Sequence, residues 1–477
     1  MGTSGSGEKF TVLGQDMDVI VAVFANILSW MVQRFAPFLL PRLLPVIQEE
    51  EIEASSPSSN QTKCIAIGRP GGKEQLRIIT LKRGFATCGY NVAHGGDETS
   101  NDYDNNQNSS SSSPFIDISQ KLPPNTVLVR VHAFSINYAD CCIRWGLYES
   151  ANKFVGWPIV PGFDIAGMIE QVSDDNNTNC GFHVGDRVYG ATFFGAYSTR
   201  VVVPVSQLRK LPTSTLSLAQ AAAIPAVSLT ALYALYLGGQ FPTEEVENSG
   251  TCSASSTIRP SNRSILIHSA AGGVGSMLVQ MSKLLGLSPV VGVVGRSSKV
   301  DAAKALGCDH VIDKSTCSGD LWTQATKVSP NHAGYAVVAD ANGVSTLQKS
   351  FDHLCATGRL IVFGFHSNLP MGQDMLSPVE WLKMIFKVSK MPKFNAMDFV
   401  SSNRSMLGFN LSFFVNEIGM LSRLYDQIGT WLQQEKLQVP RVVEMDMTEI
   451  AAAHELIQSG KSIGKIVILT DVATQDS

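Results

Sequence analysis

The residues best suited to chemistry in this chain lie at 264–280, SILIHSAAGGVGSMLVQ. Ile265, Leu266 and Ile267 read as a strand buried on both faces, and Ser276, Met277, Leu278, Met281, Leu284 and Leu285 continue as a helix with an apolar stripe. Between them Ala270, Ala271, Gly272, Gly273, Val274 and Gly275 form a turn of small residues. Gly272 lets the backbone approach a pyrophosphate, and Gly275 lets the helix pack tightly on the strand. The free N–H groups of the helix's first turn supply donors and positive potential. The chemistry is dinucleotide binding. Ala270 stands where the usual G-x-G-x-x-G has its first glycine, and a tight strand-to-helix turn without a ligand is the alternative reading.

Cofactor preference is readable after the second strand of this unit, at 290–294. Enzymes that use NAD place Asp or Glu there to hold the ribose 2′-hydroxyl. Here Gly295 is followed by Arg296, Ser297, Ser298 and Lys299, with no acid before Asp301. A 2′-phosphate would meet cations and hydroxyls, so NADPH is the expected cofactor. The alternative is that Arg296 and Lys299 are solvated charges at a helix start.

Positioning such a turn takes a strand–helix alternation, and the sequence supplies one. Strands are expected at 265–267, 290–294, 311–312, 336–339 and 360–362, with helices between several of them, which predicts a parallel, doubly wound sheet. Before it come short strands separated by turns, at 63–67, 76–81, 126–133, 165–172, 187–189 and 197–203, the pattern of a mostly β region. The tail, helical at 418–432 and strand-like at 463–469, could return to that region. Polar tracts at 95–113 and 244–263 read as surface insertions, the first of them disordered for lack of apolar surface to bury.

With 477 residues, 44% of them hydrophobic and 16% charged, there is room for two or three globular domains. A net charge of -4 gives no electrostatic support to a nucleic-acid partner. Nine cysteines without a C-x-x-C pair read as reduced thiols in a cytosol-like compartment. The run at 19–33 is uncharged but reaches only roughly 22 Å as a helix, against about 30 Å of hydrocarbon. A second apolar block follows, broken by Pro37, Pro41 and Pro45. A membrane anchor or interfacial helix over 17–47, a soluble helix and a targeting segment all stay open. If the segment crosses a membrane, the arginines on its carboxyl side would keep the rest of the chain on the cytoplasmic face.

Several patterns occur in one order: Ile136-Asn137-Tyr138-Ala139-Asp140 with Gly146-Leu147-Tyr148; Pro161-Gly162-Phe163-Asp164-Ile165-Ala166-Gly167; Gly185-Asp186-Arg187-Val188; Gly195-Ala196-Tyr197; Leu229-Thr230-Ala231; the Ala270 to Gly275 turn; and Gly464-Lys465-Ile466-Val467. Together they resemble the medium-chain dehydrogenase/reductase superfamily in its zinc-free quinone oxidoreductase branch, and residues 392–414 look most like the vesicle-membrane-protein homologues within it. The resemblance implies an α/β chain with a GroES-like catalytic β domain (63–222), a Rossmann domain (223–407) and a C-terminal return to the catalytic domain (408–477); the apolar residues before it read as an N-terminal helical extension (1–62). Zinc-dependent relatives carry Cys where this chain has Asn137 and His where it has Phe163; a phenyl ring cannot ligate zinc, so no metal is expected.

By the same resemblance, Asn137, Asp140 and Tyr148 surround the reacting end. Thr230, Ala271, Gly272, Gly273, Val274, Gly275, Arg296, Ser297, Lys299, Lys314, Asn342, Gly364 and Phe365 hold the cofactor. Lys299 matches the family's phosphate-contacting lysine, and Lys314 stands where Tyr is frequent. Cys142 replaces a frequent Tyr, and a buried packing role is expected of it. The implied activity is transfer of a hydride from NADPH to a quinone or α,β-unsaturated carbonyl acceptor, in the cytoplasm, with a homodimer common among relatives. The alternative is a membrane-associated NADPH-binding scaffold or lipid-handling protein that keeps the fold without the chemistry.

Overall fold

The computed structural model describes residues 11–12, 15–16, 61–89, 92, 114–119, 121–173, 181–212, 216–240, 262–317, 321–365 and 378–471. The chain divides into two units, Met1–Ser58 and Ser59–Ser477. In the first, Thr11–Val12 pairs with Gln15–Asp16 as an antiparallel hairpin. The apolar run at 19–33, the tract at 95–113 and the insertion up to Ser261 lie outside the described residues. Asn262 and Arg263 belong to the fold instead of the insertion, since Arg263 bridges to Ser288 ahead of the next strand.

The second unit opens with β1 (Lys63–Ala66) and β2 (Arg77–Thr80), an antiparallel pair as expected. Then follow β3 (Phe85–Cys88), β4 (Phe115–Asp117), β5 (Thr126–Ile136), helix α1 (Tyr138–Arg144), β6 (Asp164–Val172), β7 (Arg187–Ala191), β8 (Arg200–Pro204) and β9 (Leu208–Lys210). Strand β8 starts later than the expected 197, because Tyr197 and Thr199 give their backbone bonds to Ile65 and Lys63 of β1. The sheet runs β9-β7-β6-β5-β8-β3-β4. Its centre, β5, is eleven residues long and nearly all buried, which suits a strand paired on both edges and covered on both faces.

Helices α2 (Leu218–Ala222) and α3 (Pro225–Leu237) lead into the second sheet. Its elements are β10 (Ile265–His268), α4 (Gly273–Leu284), β11 (Val290–Val294), α5 (Val300–Ala305), β12 (His310–Asp313), α6 (Leu321–Val328), β13 (Tyr335–Asp340), α7 (Leu347–Asp352), β14 (Leu354–Val362), α8 (Pro378–Ser389), α9 (Ala396–Ser402) and β15 (Ser405–Gly408). All six strands are parallel in the order β12-β11-β10-β13-β14-β15. That is the 3-2-1-4-5-6 order of a doubly wound dinucleotide fold, whose crevice opens between the first and fourth strands. Strand β14 begins six residues before the expected 360: a left-handed Thr357 (φ 67°) and Gly358, with a register shift against β13, interrupt the pattern between Leu354 and Arg359.

The chain closes with α10 (Ile418–Gln433), β16 (Val442–Asp446), α11 (Ile450–Gln458) and β17 (Lys465–Leu469). Strand β17 pairs antiparallel with β5, Ile466 opposite Ile136, so the tail does return to the first sheet. Among the described residues, no helix is long and apolar enough to cross a membrane.

Candidate functional site

The turn after β10 is shaped by contacts that exclude larger side chains. A Cβ at Gly275 would run into the Ser269 carbonyl oxygen, and one at Gly273 would meet Val227 Cγ1 at 2.9 Å and Lys465 Cδ at 3.0 Å. Ser269 takes the left-handed conformation (φ 58°) that brings the chain round. Helix α4 begins after Gly272 with no side-chain cap, so its first N–H groups are left for another acceptor.

Those groups face a cavity of about 650 Å³ that both sheets line. Of the expected cofactor residues, Thr230, Ala271, Gly272, Gly273, Val274, Gly275, Arg296, Lys299, Lys314 and Asn342 line it, as do Asn137 and Tyr148 from the reacting end. A dinucleotide fits this set: an uncapped helix start beside glycines, and three cations after the second and third strands. The Thr230 hydroxyl donates to the Ala226 carbonyl (2.6 Å), so it shapes the wall without a free proton to offer. Lys299 donates to the Ser462 carbonyl (2.6 Å) and Arg296 to that of Ser459 (3.3 Å), tying the Rossmann side to the loop before β17. Burial, with the Arg296 charge beside it, holds the Lys299 ammonium below its ordinary pKa.

Four expected residues stand outside the cavity lining. The Ser297 hydroxyl donates to the Asp313 carboxylate (2.5 Å), which also accepts from Ser315. An acid therefore does stand near the end of β11; it comes from the neighbouring strand β12 and lies outside 295–301 in sequence. Gly364 packs on Ala341 and Phe365 is 47% exposed. Asp140 is fully buried: its Oδ2 accepts from the Asn137 backbone N–H (2.8 Å) and the Tyr197 hydroxyl (3.0 Å), leaving Oδ1 without a partner. Burial raises its carboxyl to about 7. The carboxyl caps the start of α1 and so orients Asn137 without reaching the cavity.

At the reacting end the Asn137 amide is fixed at both atoms. Its Nδ2 donates to Asp164 Oδ2 (2.7 Å) and its Oδ1 accepts from Lys465 Nζ (2.7 Å). Asp164 and Lys465 are buried and also touch each other (3.2 Å); Asp164 Oδ1 accepts from the Ala226 N–H at the start of α3 (2.7 Å). Neither residue is among the expected site residues, although both belong to the quoted patterns. A charged residue in an otherwise apolar or glycine-rich strand start was the signal. The Tyr148 hydroxyl donates to Asn410 Oδ1 (3.0 Å), its ring meets Phe163 edge-on, and burial pushes its phenol up to about 12. Phe163 offers no donor atom to a metal. Burial likewise raises the Cys142 thiol well above its ordinary value, which suits packing rather than reaction.

Fold and cavity together define an α/β protein of dehydrogenase type, a β domain and a Rossmann domain sharing one cleft. Residues 123–213 match the alcohol dehydrogenase GroES-like domain family, and residues 273–418 the zinc-binding dehydrogenase family. The synaptic vesicle membrane protein VAT-1 homolog of Danio rerio is 28% identical over 355 residues, which are 73% of this chain and 65% of that protein. The chain thus spans slightly under two thirds of that relative's length. The 2-haloacrylate reductase of a Burkholderia species is 29% identical over 350 residues, 72% of this chain and 91% of the relative. In structure, the Escherichia coli quinone oxidoreductase complexed with NADPH matches with a TM-score of 0.60 at 21% identity, covering 85% of this chain and 99% of that one. In these matches the chain is similar to the medium-chain dehydrogenase/reductase superfamily.

Proposed function

We propose that this protein is an NADPH-dependent oxidoreductase that reduces a quinone or an α,β-unsaturated carbonyl compound. The observation that carries the reading is the single cavity joining the uncapped start of α4 to Asn137 and Tyr148. The first-turn N–H groups of α4, with Gly272 and Gly275, would hold the pyrophosphate. Arg296, Lys299 and Lys314 would hold the 2′-phosphate. NADPH, when bound, supplies a hydride.

The chain's own contribution is orientation and a hydrogen bond. Asn137 keeps one Nδ2 proton beyond the bond to Asp164 and can donate it to the acceptor oxygen as negative charge grows there; Tyr148 stays protonated through the neutral range but could donate to the acceptor only by turning its hydroxyl away from Asn410. An already electrophilic acceptor needs no stronger electrophile than this, and solvent supplies the proton that completes the reduced product. The names of the relatives, a 2-haloacrylate reductase and quinone oxidoreductases, support the acceptor class.

Stopped-flow oxidation of NADPH against a panel of quinones and enones tests the reading. Turnover of at least one class is expected; tight NADPH binding with no turnover on any acceptor would overturn it and favour a scaffold. The apolar run at 19–33 and the likeness to vesicle membrane proteins motivate that second reading. A chain lacking residues 1–60 that still sediments with membranes would remove the N-terminal anchor from it.

A further inference from the structure

The wall of the cavity formed by the first sheet and α10 carries a polar pair that the reaction leaves unused. Gln207, in the short turn Val205–Gln207 between β8 and β9, and Tyr425 of α10 both line the cavity, at 5% and 2% exposure. Gln207 Oε1 and Nε2 make no hydrogen bond, and neither does the Tyr425 hydroxyl, which lies beside the Ala191 backbone without good bonding geometry. Buried polar groups in folded proteins are almost always paired, so three unpaired atoms, buried in two side chains that line one cavity, call for a partner that the chain lacks and that a small turn of each side chain would meet.

The surroundings say what kind of partner. Tyr425 is held by the edge of Tyr189 at 6.3 Å and by the Arg209 guanidinium over its ring at 5.4 Å. Arg209 is itself committed to Asp426 (2.8 Å) and to Ser422 (2.6 Å). Its charge is matched within the protein, and an ionised group on a ligand would find no counter-ion among these residues. A side-chain amide offers one acceptor and two donors, and a phenol one donor.

Resting on the reductase reading above, we infer that Gln207 and Tyr425 form a subsite for a neutral group of the acceptor that both accepts and donates hydrogen bonds, a carboxamide being the simplest. An amide pairs with the Gln207 amide through two antiparallel bonds, and the Tyr425 hydroxyl donates a third to the same carbonyl oxygen. The subsite selects among acceptors by what lies beyond the reacting double bond.

The test uses the full chain, NADPH and three vinyl ketones of equal length ending in methyl, carboxamide or carboxylate. The carboxamide should exceed the methyl ketone in kcat/KM by about ten-fold or more, because a site built for hydrogen bonds rejects the analogue lacking them. Gln207→Met and Tyr425→Phe should each draw that ratio toward unity. Gln207→Met should also raise the melting temperature of the free protein, since it removes an unpaired buried amide. Equal kcat/KM for carboxamide and methyl ketone, a ratio that survives both substitutions, or a preference for the carboxylate would overturn the subsite. Turnover of none of the three would count against the reductase reading alone. Calorimetric binding of the saturated ketones to the NADPH-loaded protein then decides the subsite: the same order of affinity supports it, and equal affinities overturn it.

Discussion

Lys465 Nζ lies 2.7 Å from Asn137 Oδ1, so a cation from the last strand of the chain sets the orientation of an amide more than three hundred residues earlier. Its other two protons go to the Ile136 carbonyl and to Asp164, which leaves the ammonium none to spare. Lysine here is therefore a positioning residue, and its stem closes against Gly273 of the phosphate turn.

Lys465→Met should leave the Asp164 carboxylate buried beside an unanchored amide and cost about 3–5 kcal/mol of stability. The double variant Lys465→Met with Asp164→Asn should recover part of that loss, because no charge is then stranded. Urea unfolding of both single variants and the double one gives the coupling energy; strict additivity would mean that the pair does not act as a unit.

The expected doubly wound sheet and the returning tail were legible because their signals are local: apolar runs of strand length, and glycines where a turn needs them. What stayed hidden came from partners distant in sequence. Asp313 meets Ser297 only because β11 and β12 are neighbours, and Asp140 looked reactive because its burial cannot be read from INYAD. Ala270 shows the same thing from the other side. It looks like a defect in a glycine fingerprint, yet its methyl group fills space that Gly292 of β11 leaves: a Cβ at Gly292 would come within 2.8 Å of it.

That complementarity predicts a compensating pair. Gly292→Ala should overpack the site against Ala270 Cβ and Cys308 Sγ and cost about 1–3 kcal/mol. Adding Ala270→Gly should return much of it. Thermal unfolding of the three variants checks this, and no rescue by the second substitution would place the clash on Cys308 alone.

The cations after β11 predict cofactor discrimination. Lys299→Ala should weaken NADPH binding by about ten-fold or more and leave NADH binding little changed, since one phosphate contact is a charge-assisted bond worth about 1.5–3 kcal/mol. Fluorescence titration with both cofactors reads the ratio. An equal loss for NADPH and NADH would instead assign Lys299 to holding the Ser462 loop.

Asp140 predicts a pH dependence whose sign can be worked out. Its carboxyl is raised to about 7 by burial, from an ordinary value of 3.8. Between those values the folded state holds a proton that the unfolded state has released, so Asp140 makes stability fall as pH rises from about 4 to about 7, by roughly 4 kcal/mol in all. His454, whose imidazole burial holds well below 6.5, acts the other way: its contribution falls as pH drops below about 6.5, because the unfolded chain then takes up the proton. Tyr197 bonds both groups and stays neutral throughout, Cys141 beside His454 is pushed up to about 12, and buried Arg144 stays charged. Comparing wild type with Asp140→Asn removes the histidine term, since His454 is present in both. The difference in unfolding free energy should move in favour of the Asn variant as pH rises from 5 to 8, with most of the change complete near 7. A difference independent of pH would show that the carboxylate is ionised in the folded protein across the whole range, and that Arg144 or Lys465 compensates it.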